Sequence, residues 1–218
     1  LEYCKLIKLD YVSLESGAKN TYELFENSLP HSVIYRHKSM MKLWKNETDV
    51  SLRNKIAHDW YKKKRHGDDS IEISFTKYQT KNALPESFDF SKNNVLILNS
   101  SEDEMKVIEE YQTDLFYTQN EAINKLVSHF EGNETVHFYL RVHPNLGKVK
   151  NIQTEEVNQM DYKNLTVIGP NQLVDTYAIM DECDKSIVFG STAGIEATYW
   201  GNASILLGKS FYYYLEDT

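Results

Sequence analysis

Residues Ser186-Ile187-Val188-Phe189 form a short apolar run, and Gly190-Ser191-Thr192-Ala193-Gly194 follow it as a turn of small residues. Ile195-Glu196-Ala197-Thr198-Tyr199-Trp200 then carries a helical pattern. The order is strand, tight turn, first helical turn. Unpaired backbone N–H groups at such a helix start attract anions, and the helix dipole adds to the attraction. Glycines at both ends of the turn let a ligand approach the backbone closely.

A second polar strand end lies upstream. Val136-His137-Phe138-Tyr139-Leu140-Arg141-Val142 reads as a strand that stops at His143-Pro144. Proline keeps the residue before it extended, which aims the His143 imidazole away from the strand. There it either donates to a phosphate oxygen or serves as a packed structural histidine. Arg141, two residues earlier, shares its face of the strand. It either adds positive charge or pairs with a structural carboxylate. His137 reads as structural.

The rest of the second half alternates between strands and helices. Val95-Leu96-Ile97-Leu98, Leu165-Thr166-Val167-Ile168 and Ser204-Ile205-Leu206-Leu207 read as strands. Helical patterns cover 104–130, with a break near Thr118, and 173–183, with Leu173, Tyr177 and Met180 on one side. Alternation of this kind predicts a Rossmann-like, parallel, right-handed doubly wound sheet. Such sheets bind ligands beyond the carboxyl ends of their strands. Those ends are Asn99-Ser100-Ser101, His143-Pro144, Gly169-Pro170, Gly190-Ser191-Thr192 and Gly208-Lys209-Ser210. All are small, polar or turn-forming.

Residues 1–92 differ. They are polar, rich in Tyr, Lys and Asn, and mostly helical in pattern. The clearest helix covers 50–65, with Leu52, Ile56, Trp60 and Lys63 on one stripe and Gly67-Asp68-Asp69 as its stop. The expected division is therefore a helical segment over 1–92 and a sheet domain over 93–218. The start lacks an initiator Met and any signal-peptide pattern, so the chain reads as an excised or processed piece.

Net charge is −8 over 218 residues, which argues against a general nucleic-acid grip. The one basic run, Lys62-Lys63-Lys64-Arg65-His66, reads as a solvated helix face or as a contact for phosphate, anionic glycan or anionic lipid. Cys4 and Cys183 fit neither a zinc spacing nor a disulfide framework, and Cys183 reads as packed. Four Asn-x-Ser/Thr sequons occur, at Asn46, Asn133, Asn164 and Asn202, and read as chance matches. No P-loop, dinucleotide fingerprint or Gly-x-Ser-x-Gly turn is present, and no metal-ligand spacing. Ser100-Ser101-Glu102-Asp103-Glu104 reads as a capped, acidic helix start. The alternative to that ordinary helix start is a loop that sets Ser100 or Ser101 beside a phosphate and offers Glu102 or Asp103 as a general base. Glu196 either answers the helix dipole or accepts from ribose hydroxyls.

Taken together, Arg141-Val142-His143-Pro144, Val174-Asp175-Thr176-Tyr177, the turn from Phe189 to Ala197, Tyr199-Trp200-Gly201 and Ile205-Leu206-Leu207-Gly208 resemble bacterial capsule polysaccharide biosynthesis proteins. Leu98-Asn99-Ser100-Ser101-Glu102-Asp103-Glu104 is also similar to theirs. The resemblance covers residues 55–215 and implies a glycosyltransferase of the GT-B type. Residues 93–218 would be its nucleotide-sugar-binding half. It implies inversion by direct displacement, without an essential metal or cofactor, from a CMP- or UDP-linked donor. The expected acceptor is a polysaccharide or glycolipid, and the expected location cytoplasmic, with peripheral membrane association through a complex. Related sialyl- and Kdo-transferases hold the donor nucleotide and phosphate with a His-Pro pair and a Ser/Thr-rich turn. Here these positions are His143, Pro144, Ser191 and Thr192, with Gly190, Ala193, Gly194, Ser100, Ser101, Arg141 and Glu196 around them. Residues 1–92 are too few, and too poor in apolar strands, for a full acceptor domain. The general base then lies on the Glu102-Asp103 loop or outside this sequence. Two alternatives remain: a nucleotide-sugar epimerase of the same architecture, and a non-catalytic domain that binds glycan or a partner enzyme.

Overall fold

A computed structural model describes residues 2–17, 21–70, 73–105 and 109–215. The chain divides into two compact units, the first built from Leu1–Lys77 with Phe211–Tyr214, the second from Tyr78–Ser210.

The first unit contains helix α1 (Glu2–Leu6), strands β1 (Val12–Ser16) and β2 (Tyr22–Glu26), and helices α2 (Val33–Asn46) and α3 (Val50–His66). β1 and β2 pair antiparallel, with Ser13 opposite Phe25 and Leu14 opposite Leu24. Side chains alternate across a strand. Phe25 and Ser13 are accordingly buried, while Leu14 and Leu24 stay exposed. This hairpin was not anticipated, because its strands mix polar and apolar residues without a long apolar run.

α3 begins where Asp49 accepts the Leu52 N–H at 3.0 Å. It ends at Gly67, which adopts the left-handed conformation (φ +73°). A Cβ at Gly67 would lie 2.8 Å from Lys77 Cα, so this stop requires glycine. The expected helix and stop are therefore present. No residue of α3 is buried, and Leu52 and Ile56 are exposed.

The second unit contains a five-stranded parallel sheet of β3 (Asn93–Leu98), β4 (Val136–Arg141), β5 (Leu165–Ile168), β6 (Lys185–Val188) and β7 (Ala203–Leu206). The spatial order is β5-β4-β3-β6-β7. Leu98 pairs with Arg141 on one side and Val188 on the other. The intervening helices are α4 (Glu102–Met105), α5 (Gln119–His129), α6 (Ile152–Asn158), α7 (Thr176–Glu182) and α8 (Ala193–Tyr199). The α/β, Rossmann-like class read from the alternation is the observed one.

Both faces of the sheet are covered, as a parallel sheet requires. Leu96, Leu98, Tyr139 and Val188 pack with Ile179 and Met180 of α7 and Ala197 of α8. Ile97, Phe138, Leu140 and Ile187 face the other way and pack with Ile123 and Val127 of α5 and Val157 of α6.

The continuous helical pattern over 104–130 resolves into shorter pieces. Thr118 caps α5 by accepting the Glu121 N–H, which is the break expected there. Leu115, counted on that helix face, is exposed outside any helix. Met105 ends α4, and Ile108 lies outside the described residues. Leu173 is likewise exposed and precedes α7.

Residues 78–92, read with the N-terminal part from composition, belong to the second unit. Gln79 Nε2 donates to Thr176 Oγ1, and Gln79 Oε1 accepts the Thr176 N–H. Phe88 stacks on Tyr139 with ring centres 4.8 Å apart. Contacts between residues so far apart in sequence leave no compositional trace.

Candidate functional site

The strand order reverses between β3 and β6, which makes their carboxyl ends the topological switch point of the sheet. Ser100 and Ser101 leave β3 there, and Gly190-Ser191-Thr192 leave β6. His143 leaves β4, the strand on the other side of β3. β4 and β6 are therefore two strand spacings apart, about 10 Å.

Asn99 links these ends. It is 2% exposed, and its Oδ1 accepts the His143 N–H at 2.8 Å. His143 Nδ1 accepts the Asn145 N–H at 3.2 Å. The neutral ring then carries its proton on Nε2, leaving that nitrogen the donor. Pro144 starts the short 3-10 turn Pro144–Lys148, with His143 as its cap.

Arg141 is also buried. Its Nη1 and Nη2 donate to the carbonyls of Gly169 (2.8 Å) and Gln172 (3.0 Å), fixing the loop after β5. Burial lowers its pKa from the ordinary arginine value. Among the described residues, Arg141 Nε and Asn99 Nδ2 are buried without an acceptor.

On β3, two glutamines hold the serine loop. Gln119 accepts the Ser100 N–H and donates to Ser100 Oγ, both at 3.0 Å. Gln153 donates to the Ser100 carbonyl at 2.8 Å and accepts the Glu102 N–H at 3.1 Å. Glu102 in turn accepts the Gln119 N–H in the first turn of α5. Its carboxylate is thus part of the scaffold. Asp103 is exposed, with Oδ2 accepting from Asn151 Nδ2 at 2.7 Å. Gln119 and Gln153 were missed by sequence reasoning, since buried glutamines have no local signature.

The glycine turn is tightly built. Gly190 has φ +128°, and a Cβ there would lie 2.9 Å from the Lys209 carbonyl. A Cβ on Gly208 would lie 2.4 Å from the Phe189 carbonyl. Ser210 Oγ closes the arrangement by donating to the Gly190 carbonyl at 3.0 Å. Ser191 Oγ accepts the Ala193 N–H, and the Ser191 carbonyl accepts the Gly194 N–H. The Ala193 and Gly194 amides, which lie at the helix start read as anion-facing, are thus engaged within the turn itself.

Glu196 is 4% exposed. Its carboxylate accepts from Tyr177 Oη and, at 3.1 Å, from Thr192 Oγ1. It ties α7, α8 and the turn together. Two sequon asparagines are also structural: Asn164 Nδ2 donates to the Val127 carbonyl, and Asn202 Nδ2 to those of Met180 and Cys183. Among the described residues no group of three or more His, Cys, Asp and Glu is placed to hold a metal. No described helix is long and apolar enough to cross a membrane.

The sequence matches no protein-family model and no curated protein. The fold is similar to that of a solved structure, Thermosulfurimonas dismutans KpsC, a beta Kdo 2,4 transferase, with a TM-score of 0.63 and 16% sequence identity. The match covers 97% of this chain and 65% of that one, so the chain spans about two thirds of its neighbour.

Proposed function

We propose that this chain belongs to an inverting, metal-independent glycosyltransferase of surface polysaccharide synthesis and binds its nucleotide-sugar donor through the second unit. One observation carries the reading. The switch point of the sheet is flanked by the serine loop after β3 and the glycine turn after β6, with His143 attached to the same edge through Asn99. The fold likeness to a Kdo transferase supports it at a coarser level.

The acceptor hydroxyl attacks the anomeric carbon from the face opposite the nucleotide. The new C–O bond forms as the bond to the donor phosphate breaks, and the electron pair leaves with the phosphate. His143 Nε2–H, the Ser191 hydroxyl and the Thr192 amide stabilise that charge, while the Thr192 hydroxyl donates to Glu196. The buried Arg141 guanidinium adds positive potential from behind the edge, where low dielectric strengthens it. Asp103, the exposed carboxylate among the described side chains of the serine loop, takes the acceptor proton, while Glu102 holds α5. The donor is CMP- or UDP-linked, and the acceptor is a polysaccharide or glycolipid.

Calorimetric titration with CMP-, UDP-, GDP- and dTDP-linked sugars tests the reading. One of the four binds with a dissociation constant well below about 1 mM, and His143→Ala weakens it about tenfold or more, as loss of a charge-assisted hydrogen bond entails. Absence of binding below millimolar across the set, or an unchanged affinity in the variant, removes the donor site.

A further inference from the structure

The first unit carries a surface that the donor site does not use. Between Val33 and His66 stand ten lysines and arginines against three acids, in a chain of net charge −8. Lys38, Lys42, Lys45, Lys55, Lys62 and Lys63 are all exposed. Large apolar side chains are exposed among them: Leu43 at 69%, Trp44 at 58% and Ile56 at 59%. In the last turn of α2, Leu43 and Trp44 sit directly between Lys42 and Lys45. On α3, Leu52, Ile56 and Lys63 recur at helical spacing on one exposed stripe. Further round the helix, Arg53, Ala57, Trp60 and Tyr61 are half-buried.

We propose that α2 and α3 dock the protein onto a lipid bilayer bearing anionic headgroups. Charge complementarity selects an anionic partner, since this basic surface contrasts with an acidic remainder. The aliphatic exposure selects a bilayer over an anionic glycan. Leu43, Leu52 and Ile56 gain nothing against a hydrated polyanion, but they enter the headgroup–acyl boundary while lysines reach the phosphates. Trp44 suits the same boundary, with an apolar ring and one polar N–H. Such docking would bring a transferase to membrane-linked acceptors, although the inference stands without the donor site.

Vesicle co-sedimentation of the whole chain tests it, with vesicles of phosphatidylcholine alone and with about one third phosphatidylglycerol. Binding to the anionic vesicles exceeds binding to neutral ones at least tenfold and falls steeply toward 1 M salt, where the screening length is about 3 Å. Lys62→Glu with Lys63→Glu reduces it severalfold, and so does Leu43→Ser with Ile56→Ser. All four positions are exposed, so folding is retained, as circular dichroism checks. A second readout uses Trp60→Phe with Trp200→Phe, which leaves Trp44 as the sole tryptophan. Its emission shifts to shorter wavelength on anionic vesicles. Absence of binding, equal binding to neutral vesicles, or no Trp44 shift overturns the proposal. Binding to dextran sulfate that equals vesicle binding and ignores the apolar substitutions overturns it in favour of an anionic-polymer site.

Discussion

Gly208 and Gly190 are the residues where a single methyl group is most informative. Alanine at 208 would press on the Phe189 carbonyl, and alanine at 190 combines a left-handed backbone with a close approach to Lys209. Each substitution costs about 1–3 kcal/mol of backbone strain or displacement. Both lower the thermal midpoint, and a scan of either variant that matches the parent refutes the tight-turn account. Tyr177→Phe removes a hydrogen bond from a carboxylate that stays buried, at a cost of about 1.5–3 kcal/mol in denaturant unfolding. His137 is a further residue-scale probe. Burial, followed by the nearby Lys92, lowers its pKa from 6.5. The unfolded chain therefore binds the proton first as pH falls. The associated stability is complete above about pH 6.5 and declines below it. His137→Gln flattens that decline, and an unchanged slope contradicts the assignment. Cys183 illustrates the opposite effect, since burial pushes its thiol up to about 12. In native protein at pH 8, a disulfide reagent titrates Cys4 and leaves Cys183 unreacted until denaturant is added. Two fast-reacting thiols in native protein would overturn this.

At the scale of elements, what was legible in the sequence depended on local chemistry. Ile187-Val188-Phe189 and Val95-Leu96-Ile97-Leu98 are apolar because both faces of a parallel sheet are covered, so runs of this kind announced their strands. Asp49 and Gly67 bound α3 through contacts within a few residues, and the stop was readable. Long-range choices were not. The site residues Ser100, Glu102 and Glu196 could be placed at helix starts, but their partners Gln119, Gln153 and Tyr177 lie 17 to 53 residues away. Leu115 and Leu173 kept helical spacing by coincidence and lie in loops. The stripe on α3 was visible as a pattern, yet periodicity does not reveal whether anything packs against it. This difference is measurable by hydrogen exchange. The amides of β3, β4 and β6, which lie in the two apolar cores, exchange slowest, while those of α3, with no buried residue, exchange orders of magnitude faster. Equal protection in both would contradict the burial described here.

For the whole molecule, the functional account rests on one arrangement: three neighbouring strands whose ends supply the Ser100 loop, His143 and the Ser191 turn to one anion. A double-mutant cycle on nucleotide affinity tests this most directly. His143→Ala, Ser191→Ala and the double variant are titrated with the nucleotide that the parent binds. Groups that share one phosphate are coupled, so the double variant loses less than the sum of the single losses, by at least about 0.5 kcal/mol. Strictly additive losses, or affinity that neither substitution changes, would mean that these two strand ends do not meet at a common phosphate.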